Sequence, residues 1–286
     1  MCQLLGMSSN QRAAITFSFT GFSQRGGKTD SHVDGWGIAF YEGGGCRVFH
    51  DDQPASDSAL ARFVRDYPIK SRIVISHLRK ATQGAVNLAN CHPFQREWQG
   101  QTWLFANNGD LQNFSPALCG DYLPVGTTDS EVAFCYLMQT LRKRFAGRGS
   151  RVPWQELAPE IARITAEIAT HGNFNYLLTN GEATFAHCSS KLYLLKRQHP
   201  FAMATLKDCD LSMNLGALNA EGDRMALIAT EPLTCEAAWT AFQTGETQVL
   251  VDGESVWRHV EPTTRRFAPP ASYNGREWAD QTLTPV

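Results

Sequence analysis

Two amphipathic helices stand back to back in the middle of a chain that otherwise reads as short strands, and this order restricts the fold more than any other feature. Thr128-Asp129-Ser130-Glu131 forms a helix-start box. The threonine hydroxyl accepts from the amide three residues on, and the glutamate reaches back to the cap. Phe134, Leu137, Met138, Leu141 and Phe145 follow at helical spacing, and Arg142-Lys143-Arg144 puts cations where the helix dipole is negative. Leu157, Ile161, Ile164 and Ile168 mark the second helix, closed by Gly172. Pro159 lies inside that pattern. An interior proline costs about 3 kcal/mol, so the main helix is expected to start near it, with residues 154–158 as a separate turn.

Strands flank this pair on both sides. Ahead of it, residues 3–7 read as a short apolar strand, 34–41 and 46–49 as a hairpin about Glu42-Gly43-Gly44-Gly45, 72–77 as a buried strand and 102–106 as another. Residues 107–110 are expected to turn. Short helices fit 13–24 and 58–67, and 83–99 reads as an ordered loop. Behind the pair, 174–178, 183–187 and 192–196 are three successive strands, 225–229 is another, and 247–251 and 255–259 flank Asp252-Gly253 as a hairpin. The pattern predicts an α+β fold of two antiparallel sheets covered by helices. One domain is expected over residues 1–260, followed by an irregular, proline-rich tail over 261–286.

The chain has 286 residues, 43% hydrophobic and 19% charged, with a net charge of −2. That balance gives no support to nucleic-acid or membrane-surface binding. No apolar run approaches the ~20 residues of a membrane span, and the start lacks a secretory pattern, so a cytoplasmic location is expected. The eight cysteines are irregularly spaced with no CxxC pair, which reads as reduced thiols. Asn90-Cys91-His92-Pro93 sets a thiol beside an imidazole, but no second ligand pair lies near. No metal or cofactor is expected.

The chemistry centres on Met1-Cys2. Trimming of the initiator methionine leaves a residue that carries both a thiol and a free α-amine. The amine titrates near pH ~8 and the thiol near ~8.5, so one is a matched base for the other. Three polar segments end strands elsewhere. Arg79, in Ser76-His77-Leu78-Arg79-Lys80-Ala81-Thr82-Gln83-Gly84, is either a surface arginine or a fork for a carboxylate. Asn107-Asn108-Gly109 is either a hairpin turn or an amide and a glycine N–H forming an oxyanion hole. Asp129 either complements its helix dipole or pairs with a substrate ammonium.

Together these segments resemble the glutaminase domain of class II glutamine amidotransferases, members of the N-terminal-nucleophile hydrolase superfamily. The matching residues are Met1-Cys2; His77-Leu78-Arg79-Lys80-Ala81-Thr82-Gln83-Gly84; Asn90-Cys91-His92-Pro93; Asn108-Gly109; and Gly126-Thr127-Thr128-Asp129-Ser130-Glu131. Asp34-Gly35-Trp36-Gly37 is similar to the small stand-alone bacterial branch, and the likeness runs over about residues 1–255. It implies a four-layer αββα sandwich, with the two antiparallel sheets between helical layers. It implies that Cys2 attacks the side-chain amide of glutamine through a thioester, with its own amine as base. Asn108 and Gly109 would hold the oxyanion, Arg79 the substrate carboxylate and Asp129 its ammonium, with Thr82 and His92 lining the pocket. Asn107 stands where the family often has His, Lys80 where the larger synthases have Trp, and Gln83 where His is common.

Only a few dozen residues follow the glutaminase-like region, too few for a synthase or sugar isomerase, so no acceptor domain is expected on this chain. Ammonia would therefore pass to an ammonia-accepting or peptidase partner subunit, or be released. A γ-glutamyl amide fits the same grip as glutamine. Two rivals stand beside this reading. One is a catalytically inactive regulatory or scaffold protein. The other is an N-terminal-cysteine acylase of apolar amides, which would have no need of Arg79 and Asp129.

Overall fold

The computed structural model describes residues 2–261. β1 (Gln3–Ala14) leads into α1 (Thr16–Gln24), the hairpin β2 (Trp36–Glu42) and β3 (Gly45–Asp51), α2 (Ala59–Asp66), β4 (Lys70–Leu78), β5 (Phe94–Trp98) and β6 (Gln101–Leu111). The two long helices follow, α3 (Asp129–Arg144) and α4 (Trp154–Ala169). The chain then forms β7 (Gly172–Thr179), β8 (Thr184–Cys188), β9 (Tyr193–Gln198), a small hairpin of β10 (Met203–Thr205) and β11 (Ser212–Asn214), β12 (Arg224–Ala229), β13 (Thr240–Ala241), β14 (Glu246–Val251) and β15 (Glu254–Val260).

A seven-stranded sheet runs β13-β9-β12-β1-β4-β2-β3 and a six-stranded sheet runs β15-β14-β8-β7-β6-β5. Every pairing within them is antiparallel. Three cores separate the layers. Leu4, Ile75, Leu104, Leu177, Ile228 and Leu250 fill the space between the sheets. Leu5, Phe19, Phe22, Trp36 and Val64 pack α1 and α2 on the outer face of the first sheet. Phe105, Phe134, Leu141, Ile161 and Phe174 pack α3 and α4 on the outer face of the second. The period of two explains the sorting: Leu4 and Leu5 are neighbours on β1 and enter different cores. The result is the expected αββα arrangement.

Several local expectations change. Residues 154–169 form one helix through Pro159, not a turn and a later helix. Proline removes a single hydrogen bond near the helix start, and burial of Leu157, Ala158, Ile161 and Ala162 holds the turn in place. The expected loop over 83–99 contains β5. The Asn107–Asp110 segment does not turn; it continues β6, paired from Asn107↔Tyr176 to Asp110↔Asn173. Thr128 caps α3 as expected, its hydroxyl accepting from the Glu131 amide at 3.2 Å. Glu131, however, reaches past the cap. Its carboxylate accepts from Gly126 N–H at 2.7 Å and Val125 N–H at 3.1 Å, and pairs with Arg96 at 2.6 Å. The tail expected over 261–286 lies outside the described residues apart from Glu261.

Candidate active site

Cys2 stands immediately ahead of β1, which lies between β12 and β4 in the seven-stranded sheet. Pairing of Gln3 with Leu78 brings the residues after β4 beside it. The half-buried Sγ accepts the Lys80 backbone N–H at 3.3 Å and lies 3.4 Å from the Lys80 carbonyl oxygen. Burial pushes the thiol pKa up. The Lys80 N–H and the Arg79 charge pull it down, while Asp129 pushes it up. Arg79 and Asp129 are therefore both within electrostatic reach of the sulfur.

Arg79 is only 3% exposed. Its backbone N–H donates to Gly35 O at 2.8 Å and its carbonyl accepts from Asp34 N–H at 3.1 Å. The guanidinium gathers the following loop: Nη1 donates to Ala85 O at 3.0 Å and Asp34 O at 3.4 Å, and Nη2 donates to Gln83 O at 3.0 Å and Gly84 O at 3.2 Å. The fork predicted for a carboxylate is thus engaged with loop carbonyls. Thr82 is exposed on the same loop.

His92 is buried behind this loop, with Nδ1 accepting the Asn107 N–H at 3.1 Å. That bond assigns the ring proton to Nε2. The ring stacks on His77, with centroids 4.1 Å apart. Burial holds His77 down at about 3 and His92 well below its ordinary value, so both are neutral. Gly37 makes room for the segment, since a Cβ there would lie 2.2 Å from the His92 carbonyl oxygen.

Alternation along β6 sends its two asparagines opposite ways. The Asn107 side chain donates to Asn175 O at 3.1 Å and accepts from Ser130 Oγ at 3.0 Å, on the side of α3. Asn108, fully buried, directs Nδ2 to Thr230 Oγ1 at 3.4 Å, and Thr230 Oγ1 also accepts the Leu4 N–H at 2.9 Å. Asn108 is thereby linked to the strand that carries Cys2, and its Oδ1 has no hydrogen-bond partner. Gly109 is required by close pairing, because a Cβ would lie 2.0 Å from Asn173 O. Asp129 opens α3, and its Oδ2 accepts the Leu111 N–H at 2.7 Å, joining the helix start to the end of β6. Burial pushes its carboxyl pKa up.

The structure therefore brings Cys2, Arg79, Asn108, Gly109 and Asp129 to one end of the paired sheets. His92 lies in the layer behind them and Thr82 on the loop at the rim. Sequence reasoning gave no role to three supporting residues, of which Asn90 alone stood in a motif. Asn175 donates to Asn108 O at 2.8 Å and accepts the N–H groups of Ser189, Ser190 and Lys191 at 2.9–3.2 Å. Asn90 donates to Ala85 O at 2.9 Å and accepts the Thr127 N–H at 2.8 Å. Thr230 is the third. An asparagine set between Phe174 and Tyr176 in an otherwise apolar strand was the available signal for the first, and the structure buries it fully. Among the described residues, no group of three or more His, Cys, Asp or Glu is placed to hold a metal ion. No helix among them is long and apolar enough to cross a membrane.

The model of the class II glutamine amidotransferase family matches residues 1–273. Escherichia coli (strain K12) "Putative glutamine amidotransferase YafJ" is 45% identical over 258 residues, which covers 90% of this chain and 100% of that protein. The crystal structure of a "predicted glutamine amidotransferase" from Pseudomonas aeruginosa superposes with a TM-score of 0.69 at 40% identity, covering 90% of this chain and 100% of that one. Glutamine phosphoribosylpyrophosphate amidotransferase from B. subtilis shares the fold, with a TM-score of 0.54 at 14% identity over 91% of this chain and 49% of that one.

Proposed function

Because this chain belongs to the class II glutamine amidotransferases, we propose that it is an N-terminal-cysteine amidohydrolase that cleaves the side-chain amide of glutamine or of a γ-glutamyl amide. Removal of Met1 frees the Cys2 amine. The amine takes the thiol proton, and the thiolate attacks the amide carbon. The developing oxyanion is held by Asn108 Nδ2 and the Gly109 N–H. The amine then returns the proton to the leaving nitrogen, which departs as ammonia or a larger amine and leaves a γ-glutamyl thioester. Water attacks the thioester and releases glutamate and the Cys2 thiol. Arg79 holds the substrate carboxylate by exchanging a loop carbonyl for it, and Asp129 holds the ammonium. Thr82 and His92 shape the pocket. A partner subunit that accepts ammonia, or one that consumes the freed amine, completes this reading.

The observation that carries the proposal is the placement of the Cys2 sulfur on the Lys80 N–H, within electrostatic reach of both Arg79 and Asp129. A small molecule that carries a zwitterionic head and a reactive amide suits a thiol with one cation and one carboxylate near it. The test is glutamate release from L-glutamine and from γ-glutamyl amides by the full chain, with Met1 removal verified by intact mass. Cys2→Ala is expected to abolish release; release by that variant at the unmodified rate would remove the nucleophile from the scheme.

Engagement of both Arg79 Nη groups by loop carbonyls favours a second reading, an inactive regulatory or scaffold protein. A glutamine-analogue electrophile separates the two: a covalent adduct on Cys2 excludes the inactive site.

A further inference from the structure

Arg79 and Asp129 lie on different elements, yet one side chain ties them together. The Gln83 carbonyl accepts Arg79 Nη2 at 3.0 Å. The Gln83 side chain crosses to β6, where Nε2 donates to Asp110 Oδ1 at 2.6 Å and to Leu111 O at 3.4 Å. The Leu111 N–H in turn donates to Asp129 at 2.7 Å. Asp110 is steadied from the other side by Gln112 Nε2, which donates to Oδ2 at 2.6 Å. The run Arg79–Gln83–Asp110–Leu111–Asp129 is thus continuous, each link within hydrogen-bond or covalent distance.

We infer that Gln83, braced on Asp110, is a positioning residue that sets the separation between the Arg79 and Asp129 grips and so tunes the site to a substrate carrying both an α-carboxylate and an α-ammonium. The inference rests on the proposed amidohydrolase reading. Asn90 ties the same loop, at Ala85, to Thr127 ahead of α3, but without Gln83 the 82–84 stretch beside the guanidinium has no side-chain tie to β6 among the described residues. Gln83 fixes the loop to the strand whose end receives Asp129. A substrate that bridges both charges gains from a fixed span, because less freedom is lost on binding. The effect belongs to recognition of the head group and not to attack on the amide, so it falls on KM and leaves kcat nearly alone.

Gln83 is exposed and Asp110 half-buried, so substitution there leaves the cores intact. Glutamate release by the trimmed full chain is measured with L-glutamine and with γ-glutamylmethylamide. Gln83→Glu sets a carboxylate against Asp110, and KM is expected to rise about tenfold while kcat changes less than about threefold. Adding Asp110→Asn reverses the polarity of the brace: the amide introduced on β6 donates to the carboxylate introduced on the loop, and its oxygen still accepts from Gln112. KM is expected to return towards the original value. An unchanged KM in Gln83→Glu, a fall in kcat at constant KM, or a raised KM that the second substitution does not relieve overturns the inference while the amidohydrolase reading stands. Failure of the unsubstituted protein to release glutamate from either amide overturns both.

Discussion

Burial at Cys2 makes its proton harder to lose, and under the proposed chemistry the adjacent α-amine offsets this by accepting that proton. The α-amine exists only once Met1 is gone. In a Met1-retaining preparation the raised thiol pKa acts alone. Alkylation of Cys2 by iodoacetamide should then lag behind that of exposed Cys119 and Cys235 at neutral pH, and should keep rising with pH beyond 9.0, the ordinary thiol value. Peptide mass spectrometry across a pH series reads this directly, and Cys2 alkylating in step with the exposed cysteines would contradict it. The residues with distinctive chemistry were legible in the sequence: Cys2, Arg79, Asn108, Gly109 and Asp129 stand out there by type and motif, and the fold carries them to one end of the sheets. The roles of Asn90, Asn175 and Thr230 were not legible, although Asn90 stood in a motif. These side chains satisfy groups of other segments, such as Thr127, Ser189 to Lys191 and Leu4, and only the fold shows which groups those are.

Among the elements, α3 shows how far local rules reach. Its cap was readable because Thr128 and the Glu131 amide are three residues apart. The destination of the Glu131 carboxylate was not, because Arg96 comes from β5 and the Val125 and Gly126 amides from the loop before the cap. That carboxylate is 1% exposed and holds a guanidinium and two N–H groups. Glu131→Ala strands all three and is expected to cost about 3 kcal/mol, measured by urea unfolding. It should also loosen Thr127 from Asn90, and through Asn90 the loop at Arg79. β6 teaches the same lesson from the other direction. Asn-Gly is a strong turn signal, yet Asn107 and Asn108 stay extended because they pair with β7. There the Asn175 carbonyl accepts from the Asn107 side chain, the Asn175 side chain donates to the Asn108 carbonyl, and the strand approaches Gly109 too closely for any side chain.

For the molecule as a whole, the order of strands, two helices and strands was enough to predict paired antiparallel sheets under helices. The assignment of each strand to a sheet was not legible. Three successive apolar strands read alike, yet β7 and β8 join one sheet and β9 the other. Each choice is made by which core accepts the side chains. The same burial gives the fold an acid limit. His77 and His187 are held at about 3, and His92 well below 6.5, by desolvation. In the unfolded chain these groups bind protons near 6.5. Below that pH the unfolded state takes up protons that the folded state refuses. Their stabilisation is therefore complete above 6.5 and declines as pH falls towards 3, by about 1.4 kcal/mol per pH unit for each histidine. His187→Phe should flatten the dependence of unfolding free energy on pH in that window by one histidine's share, with little change of slope above it. An unaltered slope would mean that His187 protonates freely in the folded protein.

The position of β1, paired on both flanks with Cys2 at its head, bears on how the protein is handled in the laboratory. Under the proposed chemistry an affinity handle joined upstream of residue 2 would abolish the base and set extra chain beside the Cys2 sulfur. If the proposed chemistry holds, such a preparation would register as inert with every amide offered, and a screen built on it would discard a true substrate along with the wrong ones. Purification handles belong at the opposite terminus.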